Sequence, residues 1–209
     1  HRLVEQGVER HLGLALEGGG AHGAYTWGVL DRLLEEGVAL EGISGTSAGA
    51  MNAVALAQGW TTGGAEGARE SLSAFWEAVA DTTPFELDLL HSLNPAGDGS
   101  LPAAVNMMLG ITRLFSPYQL NPFELNPLRD VVRAQFDFER IRRECPLKLF
   151  IAATQVRTGK VRLFHTAELS EDALLASACL PTLHHAVEID GEAYWDGGFT
   201  ANPAIYPLM

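Results

Sequence analysis

A short apolar run, residues 12–16 (Leu-Gly-Leu-Ala-Leu), ends in Glu17-Gly18-Gly19-Gly20. Such a run predicts a buried strand feeding a glycine turn. Residues 23–36 then predict a helix, because Trp27, Leu30, Leu33 and Leu34 recur at helical spacing and Gly37 can stop it. Residues 38–44 predict a second strand, and the alanine-rich residues 47–58 a second helix stopped by Gly59. Strand, glycine turn and helix, twice over, is the pattern of a parallel sheet with helices on its faces.

Residues 66–80 continue with a helix whose stripe is Leu72, Phe75, Trp76 and Val79. Further on, residues 147–156 and 160–165 predict two strands joined around Thr158-Gly159. Ser170 can cap a helix through Leu180, with Glu171 and Asp172 at its positive end. Val187-Glu188-Ile189, the turn Asp190-Gly191 and Ala193-Tyr194-Trp195 predict a final hairpin. Residues 84–127 differ in kind, with six prolines and then an apolar stretch at 105–115. There Val105, Met108, Leu109, Thr112 and Phe115 sit at helical spacing, which suits either a mobile apolar lid or a helix packed on the core. The expectation is one domain over residues 1–209 with an irregular insertion.

Composition narrows the class. Hydrophobic residues make up 47% and charged residues 19% of 209, enough to bury a substantial core. A net charge of −12 excludes nucleic acid as a partner, since phosphate binding rests on clustered Lys and Arg. The densest basic run, Arg140, Arg142 and Arg143, is interrupted by Glu139 and Glu144 and reads as a solvated helix end. Cys145 and Cys179 form neither a disulfide framework nor a metal-ligand spacing, and Cys179 reads as a small buried thiol. No metal or cofactor is expected. With no membrane-length apolar run and no visible signal peptide, a cytoplasmic location is the default, although the chain opens on His1 rather than Met.

Three motifs carry candidate chemistry. Gly45-Thr46-Ser47-Ala48-Gly49 fits G-x-S-x-G where a strand ends and a helix begins. A nucleophile on such a turn needs strained backbone, and small neighbours let the turn close. The following helix N-terminus favours negative charge developing nearby. Gly18-Gly19-Gly20-Ala21-His22-Gly23 fits G-x-G-x-x-G after a strand and before a helix, and Glu41 falls close to where a dinucleotide site wants its ribose-binding acid. Glycine-lined amides at a helix N-terminus hold a pyrophosphate or an oxyanion equally well, so a nucleotide-binding α/β protein is a rival reading. Against it, the second strand runs past Glu41 straight into the serine turn.

A serine needs a proton acceptor. No histidine follows Asp196, so a Ser-Asp-His triad in that order cannot be assembled within this chain; His184 and His185 read as loop packing. The strongest acid is Asp196 in Trp195-Asp196-Gly197-Gly198, at the end of a short strand, where partial burial would raise its basicity. Asp-Gly is also a common bare turn.

Together these residues resemble the patatin-like phospholipase family. Residues 17–23 resemble its oxyanion loop, Gly45 to Gly49 its nucleophile turn, and Asp196-Gly197-Gly198 its catalytic Asp-Gly-Gly/Ala. Residues 176–181 and Asn202-Pro203 resemble stretches near the end of that domain. The resemblance implies a three-layer α/β/α sandwich with a mainly parallel central sheet. It also implies a Ser-Asp dyad in which Ser47 attacks and Asp196 accepts the proton, without metal, cofactor or histidine. Amides of Gly18, Gly19, Gly20 and Ala21 would hold the oxyanion, with His22, Gly23, Gly45, Gly49, Gly197 and Gly198 as supporting positions. The substrate would be a lipid or other acyl ester, met by peripheral contact with lipid aggregates. A non-catalytic lipid-binding domain of the same fold is the remaining alternative. Two departures stand out: His22 replaces the family's usual Lys or Arg, and the chain ends soon after Asn202-Pro203, where a C-terminally shortened domain is expected.

Overall fold

A computed structural model describes residues 11–82, 126–181 and 184–209. The expected lid lies in residues 84–127 and so, but for its last two positions, outside the described residues. Strand β1 (Leu12–Leu16) leads through a one-turn helix at Gly20–His22 into α1 (Gly23–Glu35). Leu30 and Leu34 bury one stripe of α1. Its end is a Schellman closure: Gly37 N–H donates to the Leu34 carbonyl at 3.0 Å and Val38 N–H to the Leu33 carbonyl at 3.1 Å. That closure needs φ near +68° at Gly37, which glycine adopts without steric penalty. Because Val38 is used in this cap, β2 spans Leu40–Thr46, two residues later than the periodicity alone suggests.

Helix α2 (Ala48–Thr82) does not stop at Gly59. It breaks at Gly63 and Gly64, and its second half is the helix expected over residues 66–80. Gly59 is a contact residue instead: a Cβ there would lie 2.0 Å from the Gly67 carbonyl oxygen across the break. Two short helices, α3 (Pro127–Gln135) and α4 (Phe138–Glu144), add to the expected elements. On α4, Arg140 and Arg143 pair with Glu144 and Glu139 at the surface, as a solvated helix should, while Arg142 donates to the Leu169 carbonyl at 2.6 Å.

Strands β3 (Lys148–Gln155) and β4 (Lys160–His165) form a hairpin, and Ser170 caps α5 (Glu171–Ser177) by accepting the Ala173 N–H at 3.1 Å. α5 ends three residues before Leu180, because the chain must turn there to bring the Cys179 carbonyl against the last strand. β5 (Val187–Ile189) and β6 (Glu192–Asp196) close on Asp190-Gly191, both at positive φ, the turn whose twist matches a hairpin.

β1, β2 and β3 run parallel, β4 and β6 antiparallel to β3, and β5 antiparallel to β6, so four of the six strands point one way. The mainly parallel α/β fold expected from the sequence is the one observed. Leu16, Ile43, Leu149, Ile151 and Phe164 share one face by the two-residue strand period, and helices α1 to α5 bury a single core with them. On the other face Ala152, Leu163 and Ala204 pack together, and Leu208 lies over Gly13 and Gly42. Of the two helical layers expected, the described residues carry the first.

Candidate active site

Sheet topology brings the serine and aspartate motifs together. A strand has two edges, and β4 fills one edge of β3 from Phe150 to Gln155. β2 and β6 must therefore share the other. β2 takes it as far as Ala152, opposite Thr46, and β6 takes it from Ala153, opposite Asp196. β2 runs parallel and β6 antiparallel to β3, so the two strands meet head-on at their C-terminal ends. The residue after Thr46 is Ser47. The junction thus sets Ser47 beside Asp196, near enough for the serine hydroxyl to favour the ionised form of the carboxyl.

Ser47 sits at φ 54°, in the left-handed region, at a cost of roughly 1–2 kcal/mol for a residue with a Cβ. The turn is held closed from several sides. Ser47 carbonyl starts α2 by accepting from Met51 N–H at 3.1 Å, and its N–H donates to Ser177 Oγ at 2.9 Å. Gly49 lies so close to β1 that a Cβ would come within 2.2 Å of the Leu16 carbonyl oxygen, and a Cβ on Gly45 within 2.7 Å of the Gly49 carbonyl oxygen. The small residues flanking the serine thus act by clearance, as the motif's spacing implies.

Asp196 is only 4% exposed. Burial pushes its carboxyl above the ordinary value, while the Gly198 N–H, at 2.7 Å, and the Ser47 hydroxyl pull it part of the way back. Its main chain is held at both ends: the N–H donates to the Cys179 carbonyl at 2.8 Å and the carbonyl accepts from Thr154 Oγ1 at 2.9 Å. Gly197 presses on β3, since a Cβ would fall 2.2 Å from the Ala152 carbonyl oxygen. Of the buried polar side chains among the described residues, Thr46, Thr154, Ser177 and Asp196 gather at this junction. Polar burial is concentrated rather than scattered, and each of the four is hydrogen-bonded.

The glycine loop stands directly over the serine. A Cβ on Gly18 would lie 2.8 Å from Ser47 Cβ, and the Gly18 N–H donates to Asn202 Oδ1 at 2.6 Å. The N–H groups of Gly19 and Gly20 have no partner among the described residues. Gly19 carbonyl accepts from the His22 N–H at 3.2 Å and lies 3.1 Å from His22 Nδ1. Ala21 and His22 are exposed in the short turn that follows. Gly23 packs on Ala48 and the Trp76 ring, and its carbonyl accepts from Asn52 Nδ2 at 2.9 Å.

Other candidates fall elsewhere. Glu41 is the second residue of β2, at the opposite end of the strand from the glycine loop, and is paired with Lys148 at 2.7 Å. A ribose-binding acid belongs at the end where the loop is, so the nucleotide reading loses its acidic residue. The His185 carbonyl accepts from Cys179 Sγ at 3.0 Å, and the His184 N–H donates to the Leu180 carbonyl, which is loop packing. Burial pushes the Cys179 thiol up to about 11, leaving it an inert buried group at neutral pH. Among the described residues no cluster of His, Cys, Asp and Glu could hold a metal, and no helix is long and apolar enough to cross a membrane. Asn202, Ser177 and Thr154 are the contributors that motif reading did not assign to the site. The one signal for Ser177 is a hydroxyl among the otherwise apolar neighbours of residues 173–180.

Residues 14–209 match the patatin-like phospholipase family, and the chain belongs to it. An uncharacterized NTE family protein of Mycobacterium bovis is 39% identical over 81 residues, which is 39% of this chain and 14% of that protein. A second, from Mycobacterium tuberculosis, is 39% identical over 84 residues, 40% of this chain and 13% of its own length. The match thus spans about a seventh of the length of these relatives. In fold, VipD from Legionella pneumophila is similar, with a TM-score of 0.50 at 18% identity over 90% of this chain and 46% of VipD.

Proposed function

We propose that this protein is a serine acyl hydrolase acting on lipid or related acyl esters through a Ser47–Asp196 dyad. The meeting of the Ser47 turn with the buried Asp196 carboxylate, where β2 and β6 abut on one edge of β3, carries the proposal. Ser47 Oγ attacks the acyl carbonyl as its proton passes to Asp196, forming a tetrahedral oxyanion. The oxyanion is held by N–H groups of Gly19 and Gly20, with Ala21 next in line. Gly18 contributes placement rather than a donor, because its N–H is already bound to Asn202. Collapse expels the alcohol, which takes the proton back from Asp196, and leaves an acyl-Ser47 ester. Water then attacks that ester while Asp196 accepts its proton, and the second collapse returns the proton to Ser47 and frees the acid.

A positioned base contributes about 10²- to 10⁴-fold, and each oxyanion donor about 10²- to 10³-fold. Neither alone suffices for a weakly acidic alcohol nucleophile. Hydrolysis of chromogenic acyl esters, measured with the intact protein, Ser47→Ala and Asp196→Asn, tests the reading. Both variants are expected to lose at least about 10²-fold in kcat, and a fluorophosphonate probe is expected to label Ser47. Equal rates in all three proteins, or labelling at another residue, would end the proposal.

A further inference from the structure

Two residues at the end of α5 hold both halves of the Ser47–Asp196 pair by their main chains. Ser177 Oγ accepts the Ser47 N–H at 2.9 Å, and the Cys179 carbonyl, two residues on, accepts the Asp196 N–H at 2.8 Å. The Ser177 hydroxyl has one proton and gives it to the Ala152 carbonyl at 2.6 Å, so only its lone pairs remain for Ser47 and the direction of both bonds is settled. Ala152 is the last residue of β3 to face β2, with Ala153 the first to face β6. Ser177 therefore ties the serine turn to the very point where the two strands abut. It is fully buried, which a hydroxyl tolerates only when its bonds are made.

We propose that Ser177 is a positioning residue and that the Ser177–Cys179 segment is a clamp setting the separation of Ser47 from Asp196. The inference rests on the acyl-hydrolase reading above. Ser47 is held at positive φ, a conformation it would leave if its N–H lost its partner and turned to find another. The strain of that φ and the worth of one buried hydrogen bond are of the same order, so losing this bond shifts the balance that the other contacts of the turn must hold. Relaxation of the turn would swing Oγ away from the carboxylate without touching the surface that meets substrate. The signature of the clamp is accordingly a loss in kcat, with KM retained.

Ser177→Ala tests it, alongside Thr166→Val as a control. Thr166 Oγ1 makes the same kind of pair, accepting from Leu149 N–H at 2.8 Å and donating to the Leu147 carbonyl at 3.3 Å, but at the opposite end of β3. With a soluble chromogenic ester, Ser177→Ala is expected to lower kcat roughly 10- to 100-fold and to leave KM within about twofold. Thr166→Val is expected to keep kcat per folded molecule. Should Ser177→Ala not fold, the near-isosteric Ser177→Cys, a weaker acceptor, carries the test with an expected several-fold loss in kcat. Intact protein without turnover, or Ser47→Ala matching it, would overturn the hydrolase reading and the clamp with it. An active protein, a dead Ser47→Ala and an unchanged kcat in the folded Ser177 variant would overturn the clamp alone.

Discussion

Burial gives Asp196 the strength of a base and makes it a burden on the fold. Its carboxyl is pushed above the ordinary value by desolvation, with the Gly198 N–H and the Ser47 hydroxyl only partly opposing. The folded protein thus keeps this proton at a pH where the unfolded chain, with a value near 3.9, has released it. Stability falls as pH rises through the window between those two values, and the full cost stands above it. Asp196→Asn removes a charge that need not be desolvated. Its unfolding midpoint at pH 7 is therefore expected to exceed that of the intact protein, with the difference shrinking toward pH 4 and below; a lower midpoint at pH 7 would contradict this. If Asp196 is the base as proposed, activity is expected to have the opposite sign, rising with pH through the raised value as the carboxylate forms, and Asp196→Asn should lose that limb. Clearance is the other theme at this scale. Gly18→Ala would force a Cβ to 2.8 Å from Ser47 Cβ and is expected to lower kcat by about 10²-fold through displacement of the nucleophile. Gly20→Ala meets nothing within 4 Å and is strained only by its φ of 57°, about 1 kcal/mol or somewhat more. Comparing kcat and urea midpoints of the two separates clearance from backbone strain.

At the scale of elements, α2 is two helices leaning on each other across Gly63-Gly64. Gly59→Ala would drive a Cβ into the backbone of Gly67 and is expected to destabilise by about 1–3 kcal/mol in urea unfolding. Gly63→Ala has open space and a negative φ, so its effect should stay within roughly 0.5 kcal/mol. The same contrast marks the limit of sequence reading. A glycine after an apolar helix looks like a stop, and Gly37 is one, because both signals come from local backbone geometry. Gly59 has the same local look and a tertiary role, set by a residue eight positions away that no periodicity announces. Strands, helices and caps were legible because each is written in neighbours: the stripe of α1, the Ser170 cap, the Asp190-Gly191 hairpin. Ser47 and Asp196 were legible as motifs for the same reason. Their meeting could be expected only from the family resemblance, since physically it follows from β2 and β6 dividing one edge of β3, a pairing between segments about 150 residues apart. Ser177 and Asn202 were hidden likewise, their partners lying 130 and 184 positions away.

The whole molecule's charge decides what kind of surface it can approach. Acidic residues outnumber basic ones 26 to 14. Among the described residues nine basic side chains, including Arg32, Arg69, Arg129 and Lys148, are already engaged in ion pairs, so few of those residues are left to meet an anionic lipid. Apolar groups stand where contact would be useful. Phe199 is 62% exposed three residues beyond Asp196, and Leu180 is 43% exposed just beyond Cys179. A lipid aggregate that offers apolar contact without negative charge is thus the better match. Hydrolysis of one acyl ester is expected to be faster in zwitterionic vesicles than in vesicles carrying anionic lipid at low salt. That gap should close as screening shortens the reach of the charges from about 30 Å at 0.01 M to about 8 Å at 0.15 M. Losing the burial of one aromatic side chain removes roughly 1.5–3 kcal/mol. Phe199→Ser should therefore weaken binding to zwitterionic vesicles by on the order of 10- to 100-fold, measured by co-sedimentation, with a much smaller change in turnover of a water-soluble ester. A preference for anionic vesicles at low salt, or binding indifferent to Phe199, would mean that neither the charge nor this apolar edge governs how substrate is reached.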